Sequence, residues 1–282
     1  MFNIQAAVEA TAAIAPDMNE AVAGGGGPRE MPAAGMTRLR LISYIELGVH
    51  EDGPAGQRKN KELVYLEFEL SGPKHPARNE ETGRERPFTI NITMPLSLNE
   101  KANFFKLFKR LNHTGQYKHF AQLLGQPFLG TVVIATKGEG SDLKTYANLR
   151  DDAGFTIRPP YVEDPETGES RLIAVDAALT PLKCFLWNSP VQLKEMWDSI
   201  FIDGRWDDQK DKSGKVTKEG VSKNYYQNRI RAAQNFKGSP VAELLFAGGE
   251  EPDIPGAETP ERSGDTGQPE QRGSDVDPLA GM

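Results

Sequence analysis

The chain has 282 residues, 38% of them hydrophobic, with a mean hydropathy of −0.53 and a formal net charge of −7. That length permits one or two domains, and the low hydrophobic content predicts segments that cannot bury enough surface to order. No run approaches the 18 apolar residues of a membrane span, and Cys184, the lone cysteine, excludes an internal disulfide.

The charge is unevenly placed. Residues 250–282 hold nine acids and two bases, net −7, and residues 1–32 hold four acids and one base, net −3. The stretch 33–249 therefore carries 30 bases and 27 acids, net +3. A basic groove is compatible with an acidic protein once the ends are set apart. The N-terminus has no basic n-region and Glu9 interrupts its apolar run, so no signal peptide is expected and a cytoplasmic site is.

Four glycines at 24–27 and Pro28 form a flexible break, so residues 1–35 are expected to be a disordered arm. Residues 37–49 alternate, placing Leu39, Leu41, Ile45 and Leu47 on one face and Arg38, Arg40 and Tyr44 on the other. Residues 62–71 repeat the pattern with Val64, Leu66, Phe68 and Leu70 inward and Tyr65 outward, and 86–94 do so with Phe88, Ile90, Ile92 and Met94. These predict three strands, each with one buried face. Ser97 and Glu100 have the spacing of a capping box, and Phe104, Leu107, Phe108 and Leu111 form a helical apolar stripe. A short helix is expected from Tyr117 to Leu124, then strands at 128–136 and 145–150. Strand, strand, strand, helix, strand, strand is the order of an OB-fold, a five-stranded barrel with its helix between strands 3 and 4. Another small α+β barrel fits the same periodicity.

The core is thus expected at 36–152, with a mixed α/β extension packing on it at 153–247 and a disordered acidic tail at 248–282. In the extension, 173–175 and 182–187 read as strands, 192–202 and 222–236 as helices, and 207–223 as a charged mobile loop. Cys184, inside an apolar run, reads as a small core residue.

Enzyme signatures are missing from the sequence. No phosphate-cradling loop has the right spacing, and His50, His75, His113 and His119 are scattered. No nucleophile–base pair stands out. Neither catalysis nor a metal or other cofactor is expected. The binding features are fuller. An OB-fold holds single strands across strands 2 and 3 and the flanking loops, with cations along the phosphates and aromatic faces under the bases. Candidate cations are Arg38, Arg40, Arg58, Lys59, Lys61, Lys74, Arg84, Arg86, Lys137 and Lys144; candidate stacking rings are Tyr44, Tyr65 and Tyr146. The alternative for these tyrosines is packing beneath the extension. Lys223, Tyr225, Tyr226, Arg229 and Arg231 form a further basic and aromatic cluster, either a DNA-contacting arm or a docking helix.

Leu70-Ser-Gly-Pro-Lys-His-Pro76, Met94-Pro-Leu-Ser-Leu-Asn-Glu-Lys101, Leu123-Leu-Gly125, Phe185-Leu-Trp187, Met196-Trp-Asp-Ser-Ile-Phe-Ile202 and Ser222-Lys-Asn-Tyr-Tyr-Gln227 follow one another in an order that resembles the OB-fold single-stranded-DNA-binding proteins of tailed, podovirus-like bacteriophages. The resemblance covers roughly 36–247. It implies sequence-tolerant binding of single-stranded DNA in phage replication and recombination, in the host cytoplasm, without a membrane. The acidic C-terminus resembles the tails of such proteins, though no aromatic residue closes it. That implies recruitment of a phage DNA polymerase, primase or helicase through Asp275, Asp277, Leu279 and Met282. The rival reading is a non-catalytic phage structural or regulatory protein whose barrel binds other proteins.

Overall fold

In the computed structural model, which describes residues 30–80, 83–138, 143–210 and 214–246, the longest element is the strand β1 (Gly35–Asp52). It pairs antiparallel with β2 (Lys59–Ser71) along nearly its whole length, and β2 pairs with β3 (Thr89–Pro95). Helix α1 (Asn103–Leu111) and a 3-10 turn (Phe120–Leu123) precede β4 (Pro127–Lys137), which pairs with the start of β1 and then with β5 (Lys144–Asn148). The strand order is β3-β2-β1-β4-β5. The fold is therefore mainly β, antiparallel, with four helices among the described residues. Two small hairpins follow, β6 (Arg150–Asp151) with β7 (Gly154–Phe155) and β8 (Tyr161–Glu163) with β9 (Ser170–Leu172).

Three expectations need correction. The sheet is open, not a closed five-stranded barrel: among the described residues β3 and β5 do not pair, and a sixth strand, β10 (Lys183–Phe185), runs parallel beside β1. The capping box does not form. Residues 97–102 make a turn in which Asn99 Oδ1 accepts from Lys101 N at 2.9 Å, and α1 starts only at Asn103. Residues 173–175 do not form a strand.

A further difference, on β1, has the largest effect. Its register slips between Leu41 and Ser43 and again between Glu46 and Gly48. Each extra residue reverses the alternation beyond it. Leu39, Leu41 and Tyr44 consequently share one core with Val64, Leu66, Phe68, Ile90, Ile92, Phe104, Leu107 and Leu111. Ile45 and Leu47, expected on that same face, join a second core with Leu63 and Tyr65. The strand thus serves two hydrophobic cores, one on each side of the sheet.

The second core is closed by the extension. Helices α2 (Leu193–Ser199), α3 (Tyr225–Arg231) and α4 (Pro240–Phe246) supply Trp197, Tyr226, Ile230 and Val241, and the segment after β10 supplies Trp187. The docking-helix alternative holds for α3: Tyr226 and Ile230 are buried, and the Arg231 guanidinium lies 5.3 Å from the Trp197 ring. The charged segment at 207–223 contains a short hairpin, β11 (Gln209–Lys210) with β12 (Val216–Lys218). The expected N-terminal arm up to residue 29 and the acidic tail lie outside the described residues.

Gly48 sits at the junction of the two layers with φ +84°, and an added Cβ would come within 2.6 Å of the Trp187 ring and 2.7 Å of Ala233 Cβ. Gly56 has φ +80° but open space around it. Gly48→Ala should therefore cost about 3 kcal/mol, from left-handed strain and overpacking together, and Gly56→Ala only about 1 kcal/mol from strain alone. Urea denaturation of both variants measures the difference. Equal losses would mean that the extension is not seated on β1 at this point.

Candidate nucleic-acid interface

The outer face of the sheet, where an OB-fold presents its bases, is covered here. Tyr65 is only 2% exposed and packs edge-on against Tyr226, with ring centroids 5.1 Å apart. Tyr44 is fully buried on the opposite side, stacked with Phe120 at 5.9 Å, and its hydroxyl donates to Glu46 at 3.3 Å. Burial raises the Tyr44 pKa further, so the hydroxyl stays protonated. The expectation that these two rings face a ligand is overturned. The bulge turned Tyr44 inward, and the extension covered Tyr65.

The segment before β10, residues 175–180, crosses this face as a strap and is fixed by polar groups. Arg40 donates to the carbonyls of Gly125, Val175 and Asp176. Its register partner Glu69 accepts from Leu179 N at 2.9 Å and Thr180 N at 2.8 Å. Glu67 accepts from Ser43 at 3.0 Å and from the Tyr226 hydroxyl at 3.5 Å. A face bearing two carboxylates would repel phosphate. Here they are turned to structural use, and so is Arg40, which is corrected from phosphate ligand to strap anchor.

The remaining cations fall into two groups at opposite ends of β1. At its C-terminal end Arg58 and Lys59 are exposed, while Lys61 is ion-paired with Asp52 at 2.8 Å. At its N-terminal end three structures meet. Arg38, half-buried, is opposed by Ser71 on β2 and Leu129 on β4. The β2–β3 loop carries the exposed Lys74 and Arg86. Beyond the pair Gly35–Val132, where β1 begins, the β4–β5 arm continues alone, with Lys137 directly opposite Lys144 and Tyr146 opposite Ala135. Lys144 is exposed and Tyr146 half-buried.

The loop is rigidly built. The His75 ring is buried, with Nε2 3.0 Å from Ala33 O and Nδ1 3.0 Å from Thr37 Oγ1. A carbonyl opposite Nε2 requires that nitrogen to donate, so Nδ1 accepts from the threonine hydroxyl in the neutral ring. Arg84 donates to Ala77 O, Pro76 O and Arg86 O, and its guanidinium lies 3.9 Å from the centre of the Phe88 ring. Arg84 is thus corrected from ligand contact to loop staple. Lys74 reaches back over β1, since a Cβ added at Gly35 would lie 3.2 Å from its Nζ.

Between this loop and the strap lies a cleft of about 480 Å³. Arg38 lines it together with Ser71, His75, Pro76, Pro87 and Leu179. Glu69 and Asp176 line it as well, so Arg38 is the one formal cation in a lining that is otherwise apolar, polar or acidic; its volume admits a single nucleotide unit. Cys184 lies away from it, half-buried beside Tyr44 on β10. Burial pushes its thiol up to about 11, an unreactive setting. Among the described residues no cluster of three or more histidine, cysteine or acidic side chains is placed to hold a metal ion, and no helix is long and apolar enough to cross a membrane. Asp275, Asp277, Leu279 and Met282 lie outside the described residues. No family model, no curated protein and no solved structure matches the chain.

The anchoring role of His75 was not apparent from sequence, because a histidine between two prolines reads as an exposed loop residue. It has a pH consequence. Burial first, then Lys74 and Arg84, hold its pKa below the ordinary 6.5, against the opposing hydrogen bond to Ala33. His50 shifts the same way. The unfolded chain therefore binds the proton more readily. Stability is complete above about pH 6.5 and is lost as pH falls below it toward the folded pKa. Glu46, raised by burial, acts in the opposite sense at lower pH. Thermal melts should show the midpoint falling between pH 7.5 and 5.5, with a smaller fall in His75→Gln, whose side chain stays neutral. An identical fall in both would exclude His75 as the group responsible.

Proposed function

We propose that this chain binds single-stranded DNA without catalysing a reaction, through the end of the sheet formed by the start of β1, the β2–β3 loop and the β4–β5 arm. The observation that carries this reading is the placing of Arg38 in a nucleotide-sized cleft, of the exposed Lys74 and Arg86 on the loop that borders it, and of Lys137 opposite Lys144 on the arm beyond. The strand order supports it, being that of an OB-fold opened between β3 and β5, with its helix between strands 3 and 4. The resemblance to phage single-stranded-DNA-binding proteins, carried in part by the segment Leu70–Pro76 that holds Lys74, supports it too. Cations that track a backbone with few base-reading groups suit sequence-tolerant binding, as a replicating or recombining phage strand in the host cytoplasm requires. In this account Arg58, Lys59 and Lys61 lie outside the site. The tail, with net −7 over residues 250–282, recruits a phage polymerase, primase or helicase through Asp275, Asp277, Leu279 and Met282.

A protein-binding role has one observation in its favour: the outer edges of β3 and β5 carry no strand partner among the described residues, and an added strand could pair there. Binding of oligo(dT) separates the two readings. With five phosphate contacts, log K should fall with log[salt] with a slope of about −3.5, at about −0.7 per contact. Lys74→Glu combined with Lys144→Glu should weaken binding more than tenfold at low salt, and Arg58→Glu combined with Lys59→Glu should change it less than twofold. Fluorescence anisotropy of labelled oligo(dT) measures all three. The reverse pattern between the two double variants would move the site to the other end of β1.

A further inference from the structure

Of the three tryptophans, Trp187 and Trp197 are buried in the second core, whereas Trp206 is 60% exposed. It stands at the base of the β11–β12 hairpin and is held firmly there. Trp206 N donates to Val221 O at 2.8 Å, Arg205 bridges to Ser222, and Asp208 Oδ1 accepts from Gly220 N at 2.7 Å. The chain returns so closely that a Cβ at Gly220 would lie 1.7 Å from Trp206 O, so only glycine fits. The Lys223 ammonium sits 4.9 Å from the centre of the Trp206 ring, and its stem lies 3.4 Å from where a Cβ on Gly204 would be. The strands add Lys210 and Lys218, both exposed. The hairpin springs from the layer that covers the sheet: Lys223 leads directly into α3, whose Tyr226 lies on Tyr65 and Glu67.

We infer that Trp206 is a stacking platform for an unpaired nucleobase, with Lys223 beside it to meet the adjoining phosphate, and that this hairpin is a second contact for the strand bound at the sheet end. The inference rests on the single-strand reading above. By burying Tyr44 and Tyr65 the protein has withdrawn these two sheet rings from any base, leaving Tyr146 half-buried on β5. It exposes instead its one surface indole, on a pinned hairpin with a lysine over the ring. A stacked base takes the remaining ring surface, and every base has the flat π-face needed, so the contact tolerates any sequence. The hairpin also carries Asp207, Asp208 and Glu219, so its contribution is stacking more than charge.

The test uses the full chain, oligo(dT) and two variants. Oligo(dT) should quench the tryptophan emission of the wild type, and Trp206→Phe should remove the quench while keeping most of the affinity. Trp206→Ala should weaken binding about fivefold or more in anisotropy, and by a similar factor at low and high salt, since stacking is not screened. The melting midpoint of each variant should stay at the wild-type value because the ring is exposed. If oligo(dT) binds the wild type without quenching, and Trp206→Ala binds equally well, the platform is wrong and the sheet-end site stands. If oligo(dT) does not bind the wild type at any salt, the single-strand reading fails and takes the platform with it.

Discussion

The rest of this structure depends on the bulged register of β1. A strand with strict alternation has one buried face and one available face. By inserting Ile42 and Leu47 as extra residues, β1 places Leu39, Leu41 and Tyr44 in one core and Ile45 and Leu47 in another. Both faces of its length then demand cover. Helix α1 and the 3-10 turn cover one. The other can be covered only by residues from later in the chain, and these arrive as β10, the strap before it, and three short helices. None of those helices exceeds seven residues, too short to be stable alone, so they hold their form because the sheet gives them an apolar surface.

Burying both faces dictates where a ligand can bind. The middle of the sheet, acidic at Glu67 and Glu69, is sealed by backbone N–H groups and a tyrosine hydroxyl that satisfy those carboxylates. What remains are the parts that outrun the cover: the β2–β3 loop, the β4–β5 arm past the end of β1, and the hairpin that projects from the cover itself. Positive charge gathers at the first two. The loop is stiffened by His75 and Arg84, which spend their hydrogen bonds on its own backbone, so that Lys74 and Arg86 are offered from a fixed frame. Preorganisation of this kind reduces the entropy lost when a flexible strand is bound.

Much of the fold was legible in the sequence, and the failures share a cause. The strands at 62–71 and 128–136 and the stripe Phe104, Leu107, Phe108 and Leu111 stand where the sequence places them, the first and last because each obeys one period throughout. Strand β1 does not, and a bulge leaves no mark that alternation can detect, so alternation puts Tyr44, Ile45 and Leu47 on the wrong face. The candidate site was less legible. Charge pattern finds Lys74, Arg86 and Lys144, but cannot distinguish an arginine that meets solvent from Arg40 or Arg84, whose partners are carbonyls remote in sequence or hidden in a loop. Tyr65 reads as outward because its own strand says so; Tyr226, more than a hundred residues later, decides otherwise. Trp206, by contrast, left a usable signal: a tryptophan inside a charged, turn-rich segment has no local core to enter.

The central claim is that a single strand binds at the sheet end while the cover stays closed. Hydrogen exchange of the full chain, with and without saturating oligo(dT), tests it most directly. The account predicts slowed exchange within 72–88 and 133–148, with no change along residues 183–187, which remain paired with β1, or 193–199, which remain packed on β10. Faster exchange in those covering segments, together with new protection across β2 at 63–69, would mean that the cover lifts and the strand lies on the sheet face, contrary to the account.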